Sequence, residues 1–488
     1  MRTYAVIVTA CFFIARGLYY ASGVRFDSEP LNFYVQYADP YLLRTDLGRT
    51  LLYFEQQPPL YNCYLGVVLK LFPVHPEIAF HVSQLLFGLT FCLALLAVTT
   101  RVGVDRRVAF AIALAFAISP AVVLYENILF YEYLLAASFC CAALFLHRYA
   151  VSRRFSDGVL LFACLAVLSG IRSMYHLFWF IAIAAFIGYA LRDWRKTILV
   201  AAIPGAFLTS FYIKNFVLFR TIVPGAYVQG GMNFASMATA HTAASDLQRL
   251  TSSGDISPIL TSKVCGFDSD LVRGHWSSVI AELVPRPPLT GVPVLDNTRK
   301  TTGAVNYNAA WVAQIAKRCS EDARVAFKNF PQSYARSVAG NVKRYFRPIT
   351  ADWPLDGRPP GKNRQTLAIP LGVENLLTSG ASPRFNWPWL HYLAFPSLII
   401  FGLLKAHRSI GDLLNKKREA VTADTLTLIF ALFNIVSVST IVVFFSAGDQ
   451  NRYRFELSSF YAILFGLLVT GLYKRVAPGM PKRTRTYL

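Results

Sequence analysis

Apolar runs of about 17–23 residues recur along the chain, separated by polar turns. They cover 5–21, 79–99, 108–124, 128–147, 157–174, 176–191, 197–219, 389–405, 424–446 and 456–473. A helix of that length spans the hydrocarbon core of a bilayer. The pattern predicts an all-α polytopic membrane protein with about ten transmembrane helices. A further apolar stretch, residues 60–73, is too short for an ordinary span and lacks a basic flank. It reads as an interfacial helix in the first outer loop, opened by Pro58-Pro59.

Charge orients the spans. Basic residues follow every even-numbered run: Arg101, Arg106 and Arg107; Arg148, Arg153 and Arg154; Arg192, Arg195 and Lys196; Lys405, Arg408, Lys416, Lys417 and Arg418; Lys474, Arg475, Lys482, Arg483 and Arg485. Cytoplasmic turns carry that excess, so both termini are expected in the cytoplasm. The first run is expected to be retained as a span and not cleaved as a signal peptide. The net charge of +21 sits in these turns, and nucleic-acid binding is excluded on that ground. The chain is 55% hydrophobic and has no Asn-x-Ser/Thr sequon, which agrees with a multi-pass protein of a bacterial inner membrane.

This orientation divides the chain into an N-terminal module 1–219 with a first outer loop 22–78, a large periplasmic region 220–388, and a three-span module 389–488. The outer region is rich in Gly, Pro, Ser and Thr over 221–310, and a mixed structure is expected there. From Pro331 a helical pattern begins. Tyr334, Val338, Val342, Tyr345 and Phe346 share one face, with Arg336, Lys343 and Arg347 opposite. Cys11, Cys92, Cys140, Cys141 and Cys164 fall in apolar runs as small core residues. Cys265 and Cys319 both lie in the outer region, where an oxidising compartment would allow a disulfide.

Candidate chemistry gathers at the outer ends of the spans. Asp27 and Glu29 follow the first span at once, where a carboxylate is costly beside hydrocarbon and marks a functional site. Their place at the outer mouth points to an enzyme working on a lipid-linked substrate, with a carboxylate taking the proton of an acceptor hydroxyl. A solvated loop acid is the plainer alternative. Glu126 lies in the next outer turn and can join Asp27. Glu132 stands about 120° from Glu126 at helical spacing and is expected to bond inside the bundle, to Arg172 or His176. Lys214, Arg220, Arg452, Tyr453 and Arg454 put cations on the side that should be poor in them. An arginine fork suits phosphate oxygens. Salt bridges to Asp449 or Glu456 would account for the arginines equally.

Four segments together resemble the GT-C superfamily of polyprenyl-phosphate-sugar-dependent glycosyltransferases. The pattern is most similar to the bacterial Rgt-like proteins, with aminoarabinose transferase and protein O-mannosyltransferase further off. The segments are Phe26-Asp27-Ser28-Glu29, Gln57-Pro58-Pro59-Leu60-Tyr61, Tyr212-Ile213-Lys214-Asn215 with Gly230-Gly231-Met232-Asn233, and Asn451-Arg452-Tyr453-Arg454-Phe455. Each is short, and their order along nearly the whole chain carries the likeness. Ser28 separates acids that stand adjacent in protein O-mannosyltransferases, and Gln57 replaces the usual His. The resemblance implies a GT-C-like fold. It implies an inverting transfer from a polyprenyl-phosphate-linked sugar donor to a glycan, lipid or protein acceptor, with Asp27 as base. Some relatives use a divalent metal held by loop acids, and here Asp27 and Glu126 could hold Mg or Mn. The rival readings are a lipid or glycan flippase and a non-catalytic envelope assembly protein. Neither midplane polar groups nor an internal repeat favours transport.

Overall fold

The computed structural model describes residues 1–225, 228, 230–261, 265, 278–351, 362–380, 388–414, 422–448 and 450–476. Asp449, Lys416, Lys417, Arg418, Lys482, Arg483 and Arg485 lie outside them. Among the described residues, seven helices are long and apolar enough to cross a membrane. They are α1 (Arg2–Ala21), α6 (Pro76–Arg101), α9 (Glu132–Ser152), α12 (Trp194–Phe219), Trp389–Leu414, Ala423–Phe445 and Ser458–Val476. Between α1 and α6 lie α2 (Pro30–Phe33), α3 (Pro40–Thr45), α4 (Leu47–Leu52) and α5 (Leu60–Leu71). The chain is an α-helical, multi-pass membrane protein.

The other three predicted spans are also helical, but shorter or broken. α7 (Arg106–Ile118) and α8 (Pro120–Glu126) form one bent pair, 55° apart, which would make an eighth span. The cause is local. Proline pushes the preceding residue out of the helical region, and Ser119 takes φ −58°, ψ 124°. Its hydroxyl then caps the new helix, accepting from the Val122 N–H at 3.1 Å. α10 (Phe155–Ile171) and α11 (Leu177–Leu191) have 17 and 15 residues.

The fourth span starts later than its hydropathy suggests. Residues 127–131 are not helical, because they pair with the first outer loop. The Asp27 N–H donates to Asn127 O at 2.9 Å, and the Leu129 N–H donates to Asp27 O at 2.8 Å. α9 begins only at Glu132, so Glu126 and Glu132 do not belong to one helix and the 120° estimate does not apply. α9 then runs through the centre of the bundle, against α6, α10 and Ala423–Phe445.

A second apolar core lies in the outer region. Val228, Met232, Ala235, Ile259, Trp311, Val312, Ile315 and Cys319 belong to it. Among its described residues helices alternate with irregular stretches such as 284–292 and 297–309, with no strand and one isolated bridge, Arg299–Val305, so the region is mixed as expected. Helices Gly231–Thr239 and Ala310–Asn329 pack so closely that a Cβ at Gly231 would strike the Ala316 carbonyl. Cys265 and Cys319 are disulfide-bonded, with Cα atoms 5.8 Å apart.

The helix expected from Pro331 is present, as Pro331–Tyr345, but it buries a different face. Ser333, Ser337, Asn341 and Tyr345 are inside, while Val342 is exposed. Polar contacts set the rotation. Ser337 donates to Met237 O at 2.7 Å, and Asn341 donates to Val443 O and Ser446 O at 2.9 and 2.7 Å.

Candidate functional site

Asp27 is placed by its backbone. The short bridge to Ile128 fixes the residue beyond the end of α1, between α8 and α9. Its carboxylate is half-buried and accepts the Glu29 N–H at 2.9 Å. Burial holds this carboxyl above its ordinary range, and the Glu29 N–H bond pulls part of the way back. Glu29 itself is exposed and accepts from Asn32 Nδ2 at 3.3 Å. On the other side, Asn363 clasps the Arg25 backbone, accepting from its N–H at 2.8 Å and donating to its carbonyl at 2.5 Å. The segment carrying Asp27 is therefore held from both flanks.

Glu126 does not join Asp27. It is fully buried and bound by both edges of Arg16, Nε to Oε1 at 2.9 Å and Nη2 to Oε2 at 2.8 Å. Arg16 also donates to Ala117 O. Both oxygens of Glu126 are thus committed to α1. Among the described residues, no group of three or more His, Cys, Asp or Glu side chains could hold a metal ion. The Asp27–Glu126 pair offers no cradle for Mg or Mn.

Glu132 and Arg452 form the buried partner pair instead. Arg452 Nη1 lies 3.2 Å from Glu132 Oε1 and 3.4 Å from the Tyr34 hydroxyl. The expected partners of Glu132 are taken or distant. Arg172 donates to Glu456, and His176 caps α11 by accepting the Phe178 N–H at 3.3 Å. Tyr175 donates to the other Glu456 oxygen. The Arg172 guanidinium lies 4.1 Å from the ring centre of Tyr453. Helix Gln450–Glu456 is too short to be a span and is buried on every residue, so it delivers Arg452, Tyr453 and Glu456 together.

The first outer loop covers this quartet with aromatic side chains. Tyr34 and Tyr37 pack edge-on at 4.7 Å, and Tyr61 meets Tyr131 at 5.5 Å. Tyr34 and Tyr131 share a hydroxyl contact at 3.0 Å, and Tyr131 donates to Gln36. Of these tyrosines only Tyr61 stood out in the sequence, as the last residue of segment 57–61. Glu456 and Arg172 entered only as bridge partners. The signal available was Arg172, a charge closing an otherwise apolar run.

The remaining cations sit elsewhere. Lys214 on α12 donates to Phe54 O at 2.8 Å, beside Glu55. Arg220 is exposed, in left-handed backbone (φ 55°) at the end of α12. Arg454 is buried but turned away, donating to Tyr345 O and to Arg347 O, the latter at 2.6 Å. Of the predicted cations, only Arg452 reaches the quartet.

No protein-family model matches the chain, and no curated protein matches it in sequence. Among solved structures the chain is similar to ArnT from Cupriavidus metallidurans bound to undecaprenyl phosphate. The identity is 12% and the TM-score 0.37, over 99% of this chain and 82% of that one. It is also similar to the archaeal oligosaccharyltransferase AglB from Archaeoglobus fulgidus, in complex with an inhibitory peptide and a dolichol-phosphate. There the identity is 12% and the TM-score 0.34, over 98% of this chain and 52% of that one. Likeness at this level places no individual residue.

Proposed function

We propose that this protein is an inverting glycosyltransferase of the GT-C type. It moves a sugar from a polyprenyl-phosphate donor to a glycan, lipid or protein acceptor, at the periplasmic face of a bacterial inner membrane, with both termini cytoplasmic. One observation carries the reading. The short segment 127–132 is paired to Asp27 at its start and presents Glu132 to Arg452 at its end. A carboxylate fit to act as base and a guanidinium fit to hold a phosphate are therefore positioned by the same piece of chain.

The chemistry follows from those two groups. An acceptor hydroxyl attacks the anomeric carbon of the donor sugar. Its proton passes to the Asp27 carboxylate, whose raised affinity for protons makes it the stronger base. The bond from the anomeric carbon to the phosphate oxygen breaks, and the electron pair leaves with the polyprenyl phosphate. Arg452 neutralises the charge that grows on that phosphate. Arg172 and Glu456 hold Tyr453 and the short helix in place. Arg454 positions the same helix by tying it to helix Pro331–Tyr345.

The test is direct. Purified protein is given radiolabelled sugars on a panel of polyprenyl phosphates, with a mixed pool of envelope glycans, lipids and proteins as acceptors. Transfer from at least one donor is expected. Failure with every donor, at full occupancy of the lipid site, would remove the reading.

A further inference from the structure

The two ion pairs beneath Tyr34 are not equally complete. Glu456 accepts from Arg172 on one oxygen and from Tyr175 on the other. In the second pair neither Glu132 oxygen accepts a well-formed hydrogen bond, and Arg452 Nε has no partner. Both residues are buried, at 1% and 8% exposure. Buried charged groups are ordinarily hydrogen-bonded throughout, and unfilled positions in such a pair mark a place for another polar group. Two arginines and two glutamates leave the quartet with no net charge.

On the reading that Arg452 takes the donor phosphate, we propose that Glu132 makes the site reject the spent lipid. Transfer changes the charge of the bound phosphate. The donor is a phosphodiester with one negative charge. The product is a phosphomonoester whose second pKa is about 6, so it carries close to two charges at neutral pH. Repulsion from the Glu132 carboxylate scales with that charge and is weakly screened in a buried site. A neutral quartet therefore gives the dianion no electrostatic advantage over the monoanion. Glu132 holds Arg452 when the site is empty and favours departure of the product after transfer. The groups facing it are Arg452 and Glu456, with the hydroxyls of Tyr34, Tyr37, Tyr61 and Tyr131, and Arg172 is bound to the far side of Glu456.

The experiment uses the full chain and two probes, undecaprenyl phosphate and its methyl phosphodiester. Binding is titrated at about pH 5 and about pH 8, on either side of the phosphate pKa of about 6. Wild type should bind the monoester no more tightly at the higher pH. Glu132→Gln, which keeps size and polarity, should bind the monoester roughly tenfold more tightly at the higher pH and the diester with a smaller gain. In turnover the same variant should show roughly tenfold stronger inhibition by undecaprenyl phosphate, with KM falling by no more than the smaller gain seen for the diester. The wild-type series alone can overturn the proposal, since tighter monoester binding at the higher pH contradicts it without any variant. Arg452→Ala separates the two readings. If it binds both probes like wild type, the phosphate site is wrong. If it weakens both while Glu132→Gln matches wild type, the phosphate site stands and the role of Glu132 is wrong.

Discussion

Glu126 and Glu132 lie six positions apart on the same outer segment, both fully inside, each facing an arginine from a distant part of the chain. The first pair is closed. Arg16 grips Glu126 with two hydrogen bonds, and a Cβ at Gly88 would lie 2.6 Å from the neighbouring Tyr133 hydroxyl, so nothing else fits. The second pair is open, with unpartnered atoms on both members and an aromatic roof supplied by another loop. A buried acid therefore declares its role by how completely it is bonded, not by its depth or its place in the sequence. Glu126 ties α1 to the bundle, and Glu132 is left with bonding capacity beside Arg452.

Breaking the closed pair should have the largest effect on stability. Glu126→Ala strands Arg16 in the bundle and should cost about 3–5 kcal/mol, the range for orphaning one member of a buried pair. Thermal unfolding in detergent checks it, and a loss below about 1 kcal/mol would erase the contrast.

Arg452→Ala should weaken donor binding by about 1.5–3 kcal/mol, the range for a hydrogen bond to a charged group. Lysine should rescue it only in part, since it lacks the planar fork. Arg454→Ala should instead lower the melting temperature with donor affinity nearly unchanged, because its bonds go to the Tyr345 and Arg347 carbonyls. Donor titrations on both variants decide it. Equal losses of affinity would place both arginines on the phosphate.

Glu132→Gln should cost less than about 1 kcal/mol of stability, because the open pair has few bonds to lose. A loss as large as that of Glu126→Ala would show the two pairs to be alike.

Two opposite pH effects belong to the seam between the outer region and the first loop. Glu55 accepts the Gly225 N–H at 2.9 Å, yet burial pushes its carboxyl up to about 7. The folded state holds that proton to higher pH than the unfolded chain. Stability therefore falls as pH rises from the ordinary carboxylate pKa of about 4.3 to about 7. Lys300 donates to Tyr34 O at 2.9 Å near Asp39, and burial pulls its ammonium down to about 7. The folded state loses that proton early, so stability rises from about pH 7 to about pH 10.4. Melting curves should show both slopes, Glu55→Gln removing the first and Lys300→Met the second. A variant that keeps its slope would contradict the assignment.

The ten helical runs were legible because hydrocarbon thickness and period leave a long, redundant signal. Breaks inside them were legible only in hindsight. Pro120 marks the α7–α8 bend, but nothing local reveals that residues 127–131 leave the helix to pair with Asp27. The outer helix Pro331–Tyr345 was placed correctly and rotated wrongly, since serine and asparagine contacts to carbonyls outweighed its apolar stripe. In the site, the single residues Asp27 and Arg452 stood out by charge and position. Glu132 and Glu456 were also visible as acids, but each was matched to the wrong arginine, and Tyr34 was not visible at all, because the pairing is set only by long-range packing. The disulfide followed from the two cysteines of the outer region, although sequence carries no distance.

The central claim is that Asp27 takes a proton during transfer from a lipid-linked sugar. Its sharpest test is the initial transfer rate of Asp27→Asn against wild type, at equal amounts of folded protein and with donor binding measured alongside. General-base catalysis contributes about 10²–10⁴-fold, so the variant should bind donor normally and lose at least about a hundredfold in rate. A variant that keeps more than about a tenth of the wild-type rate would contradict the account.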